Sequence, residues 1–495
     1  MKIPNLIGYT TSSEGAITFQ TINPITDELY PELFIEATHD EVERSAILAK
    51  AAYRTFSRTS SKVRAQFLRA IVKELEQHKS LLTATYCDES GLNQQRAEVE
   101  FSRTTFQLQA FADVISSENW EIKHHLDADP SRIPIPKPQL TKYKLGIGPI
   151  VVFGASNFPF AYSTVGGDTA AALAAGCPVI VKSHPFHAHT SYKVAQLVVK
   201  VAQQLSLPEG VFSHVNATGY EVGKQLVQHP YIQGVGFTGS IQGGLALQQL
   251  TQKRAVPIPV FAEMGSLNPV VILPSAIKDQ SENIANKLGL SITQSSGQFC
   301  TKPGALFLVK SIETNRFLET FKTVFEQQVA FSMVHPSISR TYTYLTKKVI
   351  EQSNVQQFVQ CKSTKNCNLG IPQLSITDGQ TFDSNKFLQE EVFGPHALLV
   401  ICEDQNELEQ ILENIHGQLT FSIFHDEENI QTSNLFYLAQ EKAGRVILNG
   451  VPTGVEVSPA MQHGGPFPSS SDSRFTAVGT NAIERFLRAV TIQKS

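Results

Sequence analysis

Between residues 146 and 274 the sequence alternates short apolar strands with helical segments, and this alternation constrains the fold more than any other feature. The predicted strands are 150–153, 178–182, 211–215, 234–238 and 259–263, with a helical segment after each of the first four. Continuous apolar strands separated by helices are typical of a parallel sheet covered on both faces. We therefore predict a doubly wound, Rossmann-like α/β domain of the nucleotide-binding kind.

A second run of strands and helices occupies about 268–450, so the chain is predicted to contain two α/β domains. We assign 1–128 and 146–264 to a dinucleotide-binding domain and 265–465 to a catalytic domain. Apolar residues at helical spacing also predict one helix over 62–82 in the first domain.

The segment 129–138 contains four prolines and is predicted to be extended, because proline lacks an N–H and breaks helices. We expect 129–145 and 474–495 to form a small β arm that meets a neighbouring subunit in a homodimer or homotetramer.

Composition narrows the class of protein. Hydrophobic residues make up 41% of the chain and charged residues 17%, which favours a large folded core. The net charge of −4 gives no basic footprint for nucleic acid, and no apolar stretch approaches the roughly 20 residues that span a bilayer. Six cysteines without the spacing of a disulfide framework are typical of a reducing compartment. We expect a cytoplasmic protein that binds neither nucleic acid nor a membrane.

Cys300 is the first candidate for chemistry, in the stretch Ser295-Ser296-Gly297-Gln298-Phe299-Cys300-Thr301. Small residues near the thiol leave room for an incoming carbonyl carbon. No second cysteine lies at CxxC spacing, so neither a metal site nor a dithiol pair is predicted. A lone cysteine is more often a buried apolar residue than a nucleophile, so other segments must support a catalytic role.

Two turns that follow predicted strands offer groups for binding. Gly239, Ser240 and Gly243 lie between a strand and a helix, where backbone N–H groups suit a pyrophosphate. Asn157 follows the first strand, and its neutral amide suits a developing oxyanion. A tight βα turn and an Asx-type turn explain the same residues without any function.

Two carboxylates complete the set of candidates. Glu263 ends an apolar strand, where few solvating partners are expected to raise its pKa toward the range of a general base; a surface carboxylate is the alternative. Glu391 and Phe393 stand two residues apart before a Gly-Pro turn. In an extended segment the two side chains face the same side. The carboxylate could then bind a ribose hydroxyl, and the aromatic ring could pack against a flat ring.

Taken together, in this order and spacing, these segments resemble the aldehyde dehydrogenase superfamily over residues 20 to 492. The resemblance implies a nucleophilic cysteine at Cys300, a general base at Glu263 and oxyanion stabilisation by Asn157. It also implies a set of cofactor-binding residues: Gly239, Ser240 and Gly243 at the pyrophosphate, Lys182 at the adenine ribose, Glu391 at the nicotinamide ribose and Phe393 against the nicotinamide. No metal is implied, and Phe158, Tyr162 and Phe299 are expected to wall the substrate pocket.

The chain departs from the family pattern where Lys182-Ser183-His184-Pro185 replaces a K-P-[AS]-E segment. Pro185 stands in place of the glutamate that holds the adenine ribose hydroxyls and favours NAD. Loss of that acid removes repulsion against a 2′-phosphate, so of NADP and NAD we slightly favour NADP, although no arginine stands nearby.

The spacing from Glu263 to Cys300, with the segments 449–457 and 463–466, is similar to the 2,5-dioxopentanoate (α-ketoglutaric semialdehyde) dehydrogenase branch. The resemblance implies oxidation of that aldehyde to 2-oxoglutarate through a cysteine thiohemiacetal and thioester. The alternative is an NADP-dependent long-chain aldehyde dehydrogenase of the same branch. A dicarboxylate-type substrate needs a cation, for which Arg103, Arg340 and Arg474 are candidates.

Two other classes compete with this interpretation. A non-catalytic relative, such as a lens-type crystallin, would not need the intact Cys300, Glu263 and Asn157. An acylating dehydrogenase passes its thioester to coenzyme A and does not use the glutamate base, so Glu263 favours hydrolysis.

Overall fold

A computed structural model describes residues 1–118, 120–362 and 367–494. The chain begins with short strands and a helical layer: β1 (Lys2–Ile3), β2 (Asn5–Ile7), β3 (Thr10–Ser12), β4 (Thr18–Phe19), β5 (Ile22–Asn23), β6 (Glu28–Leu29), β7 (Leu33–Ile35), α1 (His39–Phe56), α2 (Ser61–Gln77), α3 (Lys79–Ser90) and α4 (Gln94–Ser116). The helix α1 begins at a capping box, in which Thr38 and Glu41 satisfy each other's backbone N–H groups.

The single helix predicted over 62–82 is wrong, because the structure divides it into α2 and α3 at His78. The backbone of His78 leaves the helical region at φ −109° and ψ 10°. Its ring nitrogen Nδ1 lies 2.8 Å from the carbonyl oxygen of Glu74, so the side chain of His78 forms a hydrogen bond with the backbone of the last turn of α2.

The next part alternates strands with helices, as the sequence predicts: β8 (Ile122–Leu126), β9 (Gln139–Gly146), β10 (Ile150–Phe153), α5 (Gly167–Ala174), β11 (Val179–Lys182), α6 (Ala188–Gln204), β12 (Phe212–Val215), α7 (Glu221–Gln228), β13 (Gly234–Thr238), α8 (Ile241–Gln252) and β14 (Val260–Glu263). The strands β14, β13, β10, β11 and β12 are parallel neighbours in that order, and β2 and β3 extend the sheet antiparallel. The order reverses direction beside β10, which is the topological switch point of a doubly wound sheet.

A second α/β run follows: β15 (Val270–Ile272), α9 (Pro274–Thr293), β16 (Ala305–Val309), α10 (Ile312–Glu326), β17 (Phe331–Ser332), α11 (Pro336–Ile350), β18 (Gln356–Gln360), β19 (Leu369–Gly370), β20 (Gln373–Asp378), α12 (Gly379–Ser384), β21 (His396–Cys402), α13 (Gln405–Asn414), β22 (Gln418–Phe424), α14 (Asn434–Lys442) and β23 (Ala443–Leu448). Its sheet has the order β18-β20-β21-β16-β15-β22-β23. All neighbours pair in parallel except β18 and β20.

The last strand, β24 (Leu487–Lys494), pairs antiparallel with β9, and β9 pairs antiparallel with β8. The strand β8 lies upstream of the segment in which we expected the arm to begin. Within the described residues, no helix combines the length and apolar composition needed to cross a bilayer. The predicted α/β class, with a Rossmann-like sheet and a second α/β sheet, is confirmed.

Candidate active site

Asn157, Lys182 and Glu263 lie at the carboxyl ends of parallel strands of the first sheet. Asn157 follows β10, Lys182 ends β11 opposite Phe153 of β10, and Glu263 ends β14 opposite Thr238 of β13. The carboxyl ends of the strands of a doubly wound sheet form its binding edge. The sheet therefore brings these three predicted residues to one side of the molecule.

The Cys300 loop approaches this edge after α9 through a tight left-handed turn. Ser295, Ser296 and Gly297 all have positive φ, at 51°, 54° and 62°. A Cβ added at Gly297 would lie 2.4 Å from the carbonyl group of Gly394, so this position requires glycine. The turn therefore packs the Cys300 loop against the segment that contains Glu391 and Phe393.

Two asparagines fix the backbone around Cys300. The amide Nδ2 of Asn268 donates to the carbonyl oxygens of Cys300 and Lys302, at 2.8 and 3.0 Å. Nδ2 of Asn157 donates to the carbonyl oxygen of Gln298 at 3.0 Å. An amide nitrogen carries two hydrogens, so the second hydrogen of Asn157 remains for another acceptor.

Glu263, His463 and Cys300 form a buried cluster at the centre of the site. Nε2 of His463 lies 2.9 Å from Oε1 of Glu263 and 3.6 Å from Sγ of Cys300. The side chains of His463 and Glu263 are 1% and 2% exposed, so both groups interact in a medium of low dielectric. His463 was not predicted to be a site residue, although the segment 463–466 contributes to the resemblance.

The predicted rise in the pKa of Glu263 is wrong. Burial does raise this pKa, but the charge and hydrogen bond of His463, with Cys300 and Arg103, outweigh it and hold the pKa below its ordinary value. Glu263 is therefore ionised at neutral pH. Burial raises the pKa of the Cys300 thiol well above its ordinary value, and the Glu263 carboxylate raises it further. The thiol is therefore protonated beside a carboxylate that can accept its proton.

The turn between β13 and α8 fits a bound pyrophosphate. Ser240 caps α8, and its hydroxyl accepts from the N–H of Gly243 at 3.1 Å. A Cβ at Gly239 or Gly243 would lie 2.7 or 2.8 Å from the ring of Phe237, so both positions favour glycine. The backbone at this exposed helix N-terminus is open to an anion.

Glu391 and Phe393 lie beside the Cys300 loop, held there by a buried lysine. Nζ of Lys302 donates to the carbonyl oxygens of Val392 and His396, at 3.2 and 2.7 Å. Burial raises the pKa of Glu391 to about 7, and the charge of Lys302 opposes this rise. A Cβ at Gly265 would lie 2.5 Å from Oε2 of Glu391, so the carboxylate reaches back to the end of β14.

Lys182 and Pro185, predicted to lie near an adenine ribose, are close neighbours at the end of β11. Pro185 opens a 3₁₀ turn over Pro185–His187, directly after β11. Burial lowers the pKa of Lys182 to about 8, and the carboxylate of Glu36 opposes this shift. The acid near Lys182 thus comes from the start of the chain rather than from the turn after β11.

The expected pocket residues pack together beside Cys300. The ring of Phe158 lies 5.0 Å from Tyr162 and 5.6 Å from Phe299, with edge-to-face geometry in both pairs. The ring of Tyr162 lies 6.3 Å from His463. The aromatic cluster is therefore continuous with the Glu263, His463 and Cys300 cluster.

Of the three candidate arginines, one lies at the pocket and two are exposed. Nη2 of Arg103 donates to the hydroxyl of Tyr162 at 3.0 Å, which places Arg103 next to the aromatic cluster. Arg340 is exposed on α11, and Arg474 is 80% exposed and paired with Asp472 at 2.6 Å. Arg445 of β23 was not among the candidates, but it lies close enough for the charge of Cys300 to affect its pKa.

Glu263, Cys300 and His463 also offer one ligand atom each within 4.8 Å of one another. Oxygen, sulfur and imidazole donors suit Zn²⁺. An ion held there would occupy the proposed nucleophile and base together, so the expectation of no resident metal stays a prediction.

We predict that alkylation of Cys300 by iodoacetamide in the cofactor-free enzyme accelerates about tenfold per pH unit between pH 7 and 9, because only the thiolate reacts and its pKa is raised. Loss of activity over time measures this reaction. A Cys367→Ser variant, which lacks an exposed thiol, is expected to show the same profile. A rate that is constant from pH 7 to 9 would contradict the pKa assigned here.

Comparisons with known proteins establish the family. The family model of the aldehyde dehydrogenase family matches residues 9–492. The chain is 40% identical to an alpha-ketoglutaric semialdehyde dehydrogenase of Acinetobacter baylyi, over 97% of this chain and 91% of the relative. It is 39% identical to alpha-ketoglutaric semialdehyde dehydrogenase 2 of Azospirillum brasilense, over 99% and 93%.

A solved structure, 1-pyrroline-5-carboxylate dehydrogenase from Thermus with bound NAD, superimposes with a TM-score of 0.83 at 18% identity, over 100% of this chain and 93% of that one. At this identity the likeness concerns the fold alone. The match of the family model over nearly the whole chain decides the family. The chain therefore belongs to the aldehyde dehydrogenase family and is an NAD(P)-dependent aldehyde dehydrogenase.

Proposed function

We propose that this enzyme oxidises 2,5-dioxopentanoate to 2-oxoglutarate. The observation that carries the substrate assignment is the similarity, at 39–40% identity and nearly full length, to two α-ketoglutaric semialdehyde dehydrogenases. The geometry of the site supports the chemistry, because the carboxylate of Glu263 lies in one cluster with the Cys300 thiol, and the amide of Asn157 is bound to the backbone two residues before that thiol.

In the proposed reaction the Cys300 sulfur attacks the aldehyde carbon after its proton passes to the Glu263 and His463 pair. The carboxylate of Glu263 takes up this proton and releases it to solvent before the thioester is hydrolysed, while Nε2 of His463, 2.9 Å from Oε1 of Glu263, orients the carboxylate. The oxyanion accepts from the amide of Asn157 and from the backbone N–H of Cys300.

The second half of the reaction converts the Cys300 thioester into the acid. When bound, the nicotinamide cofactor accepts the hydride that the thiohemiacetal loses. Gly239, Ser240 and Gly243 would hold its pyrophosphate, Lys182 its adenine ribose, Glu391 its second ribose and Phe393 its nicotinamide ring. Glu263 then takes a proton from the water that hydrolyses the thioester, a role that its ionised state permits.

The small sheet β24-β9-β8 leaves its outer strands unpaired within a single described chain. Unpaired edges favour pairing with another chain. A homodimer or homotetramer assembled through this arm, the proposed division into domains and a cytoplasmic location stay predictions.

The substrate assignment is tested by measuring reduced cofactor formed from 2,5-dioxopentanoate and from a long-chain aldehyde. We expect kcat/KM for the oxo acid to exceed that for the long aldehyde by at least about tenfold, which corresponds to about 1.4 kcal/mol. A preference for the long aldehyde would instead support the fatty aldehyde alternative.

The base role of Glu263 predicts that Glu263→Gln forms one equivalent of reduced cofactor in a burst that is slower than in the wild type, because the thiol has lost its proton acceptor. It then turns over about 10²- to 10³-fold more slowly, because the thioester accumulates. Rapid-mixing absorbance at 340 nm measures both phases. Glu390→Gln, which makes the same change at an exposed glutamate, is the matched control and is expected to behave like the wild type. A normal steady state in Glu263→Gln would contradict the base role. Formation of an acyl-coenzyme A product by the wild type, when coenzyme A is added, would support the acylating class instead.

We propose a preference for NADP over NAD, based on Pro185 in the turn after β11 and the cationic Lys182. The pKa of Lys182 near 8 means that its charge is present below that pH and lost above it. We therefore expect KM for NADP, relative to KM for NAD, to rise as pH increases through 8.

Lys182→Gln is expected to raise KM for NADP more than KM for NAD at pH 7. The surface variant Lys253→Gln is the control, and equal effects on both cofactors would contradict the proposal.

A further inference from the structure

Three arginines lie around the aromatic pocket, and one of them is already neutralised. The guanidinium of Arg96 lies over the rings of Phe158 and Phe299, at 4.3 and 4.2 Å from their centroids. Its Nη2 is 3.4 Å from the carboxylate of Glu100. Arg96 therefore supports the pocket wall and has its own counter-ion.

Unlike Arg96, neither Arg103 nor Arg445 forms an ion pair with a carboxylate of the described residues. Arg103 donates to the hydroxyl of Tyr162, and Arg445 donates to the carbonyl oxygens of Gly454, at 2.8 Å, and Pro452. In the part of the chain that the structure describes, no carboxylate lies within ion-pair distance of either guanidinium. Nε of each is buried and has no hydrogen-bond partner among the described residues. Neither side chain thus has a direct ion pair, and Nε of each lacks an acceptor, although the charge of Arg103 also acts on the carboxylate of Glu263.

Both guanidinium groups also lie close to the reacting sulfur and to each other. Tyr162, which binds Arg103, packs beside His463, whose Nε2 is 3.6 Å from Sγ of Cys300. Burial lowers the pKa of Arg445, and the nearby charge of Arg103 lowers it further. Two neighbouring, partly desolvated cations that lack a direct ion pair repel each other, so an anion between them is favoured.

We propose that Arg103 and Arg445 together bind the carboxylate end of the substrate and thereby select a short oxo-acid aldehyde. This inference rests on the proposed function and deepens it. In an extended 2,5-dioxopentanoate the carboxylate carbon is about 5 Å from the aldehyde carbon, given single bonds near 1.5 Å. The binding cations must therefore lie near Cys300, as these two do. Planar guanidinium donors suit a carboxylate and its neighbouring oxo group.

The loop after β23 is tied to the same site. Arg445 binds the loop through the carbonyl groups of Pro452 and Gly454. Val455 and Val457, just beyond, pack against the aromatic cluster that contains Phe158, Tyr162 and Phe299. Arg445 therefore sets the position of an apolar wall as well as supplying charge, so its replacement needs a variant that keeps the charge.

The test compares kcat/KM for 2,5-dioxopentanoate with kcat/KM for pentanal, an uncharged aldehyde of equal chain length. We expect Arg103→Gln and Arg445→Gln each to lower this ratio about 100-fold, the size of effect measured when one partner of a buried charge pair is removed. Arg445→Lys is expected to recover part of the ratio, which a purely structural role for Arg445 would not explain. Arg340→Gln, at an exposed arginine on α11, is the matched control and is expected to leave the ratio unchanged.

Inhibition of pentanal oxidation by 2-oxoglutarate tests the anion site without using the proposed substrate. We expect its inhibition constant to rise at least about tenfold in both glutamine variants. If the wild type does not oxidise 2,5-dioxopentanoate but the variants lose this inhibition, the proposed function fails and the anion site stands. If the wild type oxidises it and both variants keep the wild-type ratio and inhibition constant, the arginine pair is overturned and the proposed function stands.

Discussion

The buried contact between Glu263 and His463, beside Cys300, is the interaction on which the rest of the site depends. A carboxylate that is 2% exposed loses most of its hydration, and the charge of His463 at 2.9 Å offsets part of this loss, while neither carboxylate oxygen has a well-aligned hydrogen bond among the described residues. The same contact keeps Glu263 ionised while the adjacent thiol stays protonated. A protonated thiol and a carboxylate are therefore held side by side before any aldehyde arrives, so the thiolate forms only when its proton moves to Glu263.

Three separate parts of the chain must converge to make this contact. The end of β14 brings Glu263, the left-handed turn after α9 brings Cys300, and the loop before β24 brings His463. An isolated bridge between Glu263 and Ser470 ties the first of these to the third. Asn268 ties the Cys300 backbone to the segment just before β15. The positions of the reacting atoms thus follow from backbone pairing as well as from side-chain packing.

Much of this arrangement was predictable from the sequence, because strand–helix alternation fixes a parallel sheet and its binding edge. The positions of Asn157, Lys182 and Glu263 at strand ends follow from that alone. His463, Lys302 and Arg445 were not predictable as site residues, since their importance arises from partners 200, 90 and 342 positions away, at Glu263, Val392 and Arg103. The sign of the Glu263 shift was wrong for the same reason: burial was foreseen, but the neighbouring imidazole was not.

The most direct test of the Glu263 and His463 unit is a double-mutant cycle on the decay of the Cys300 thioester. The decay is followed by quenched-flow mass spectrometry in Glu263→Gln, in His463→Gln and in the double variant. If the two side chains act as one unit, the double variant decays no more than about twofold more slowly than Glu263→Gln alone, because the second change removes an interaction already lost. If the decay rate of the double variant is instead reduced by the product of the two single-variant factors, His463 and Glu263 act independently, which would contradict this account.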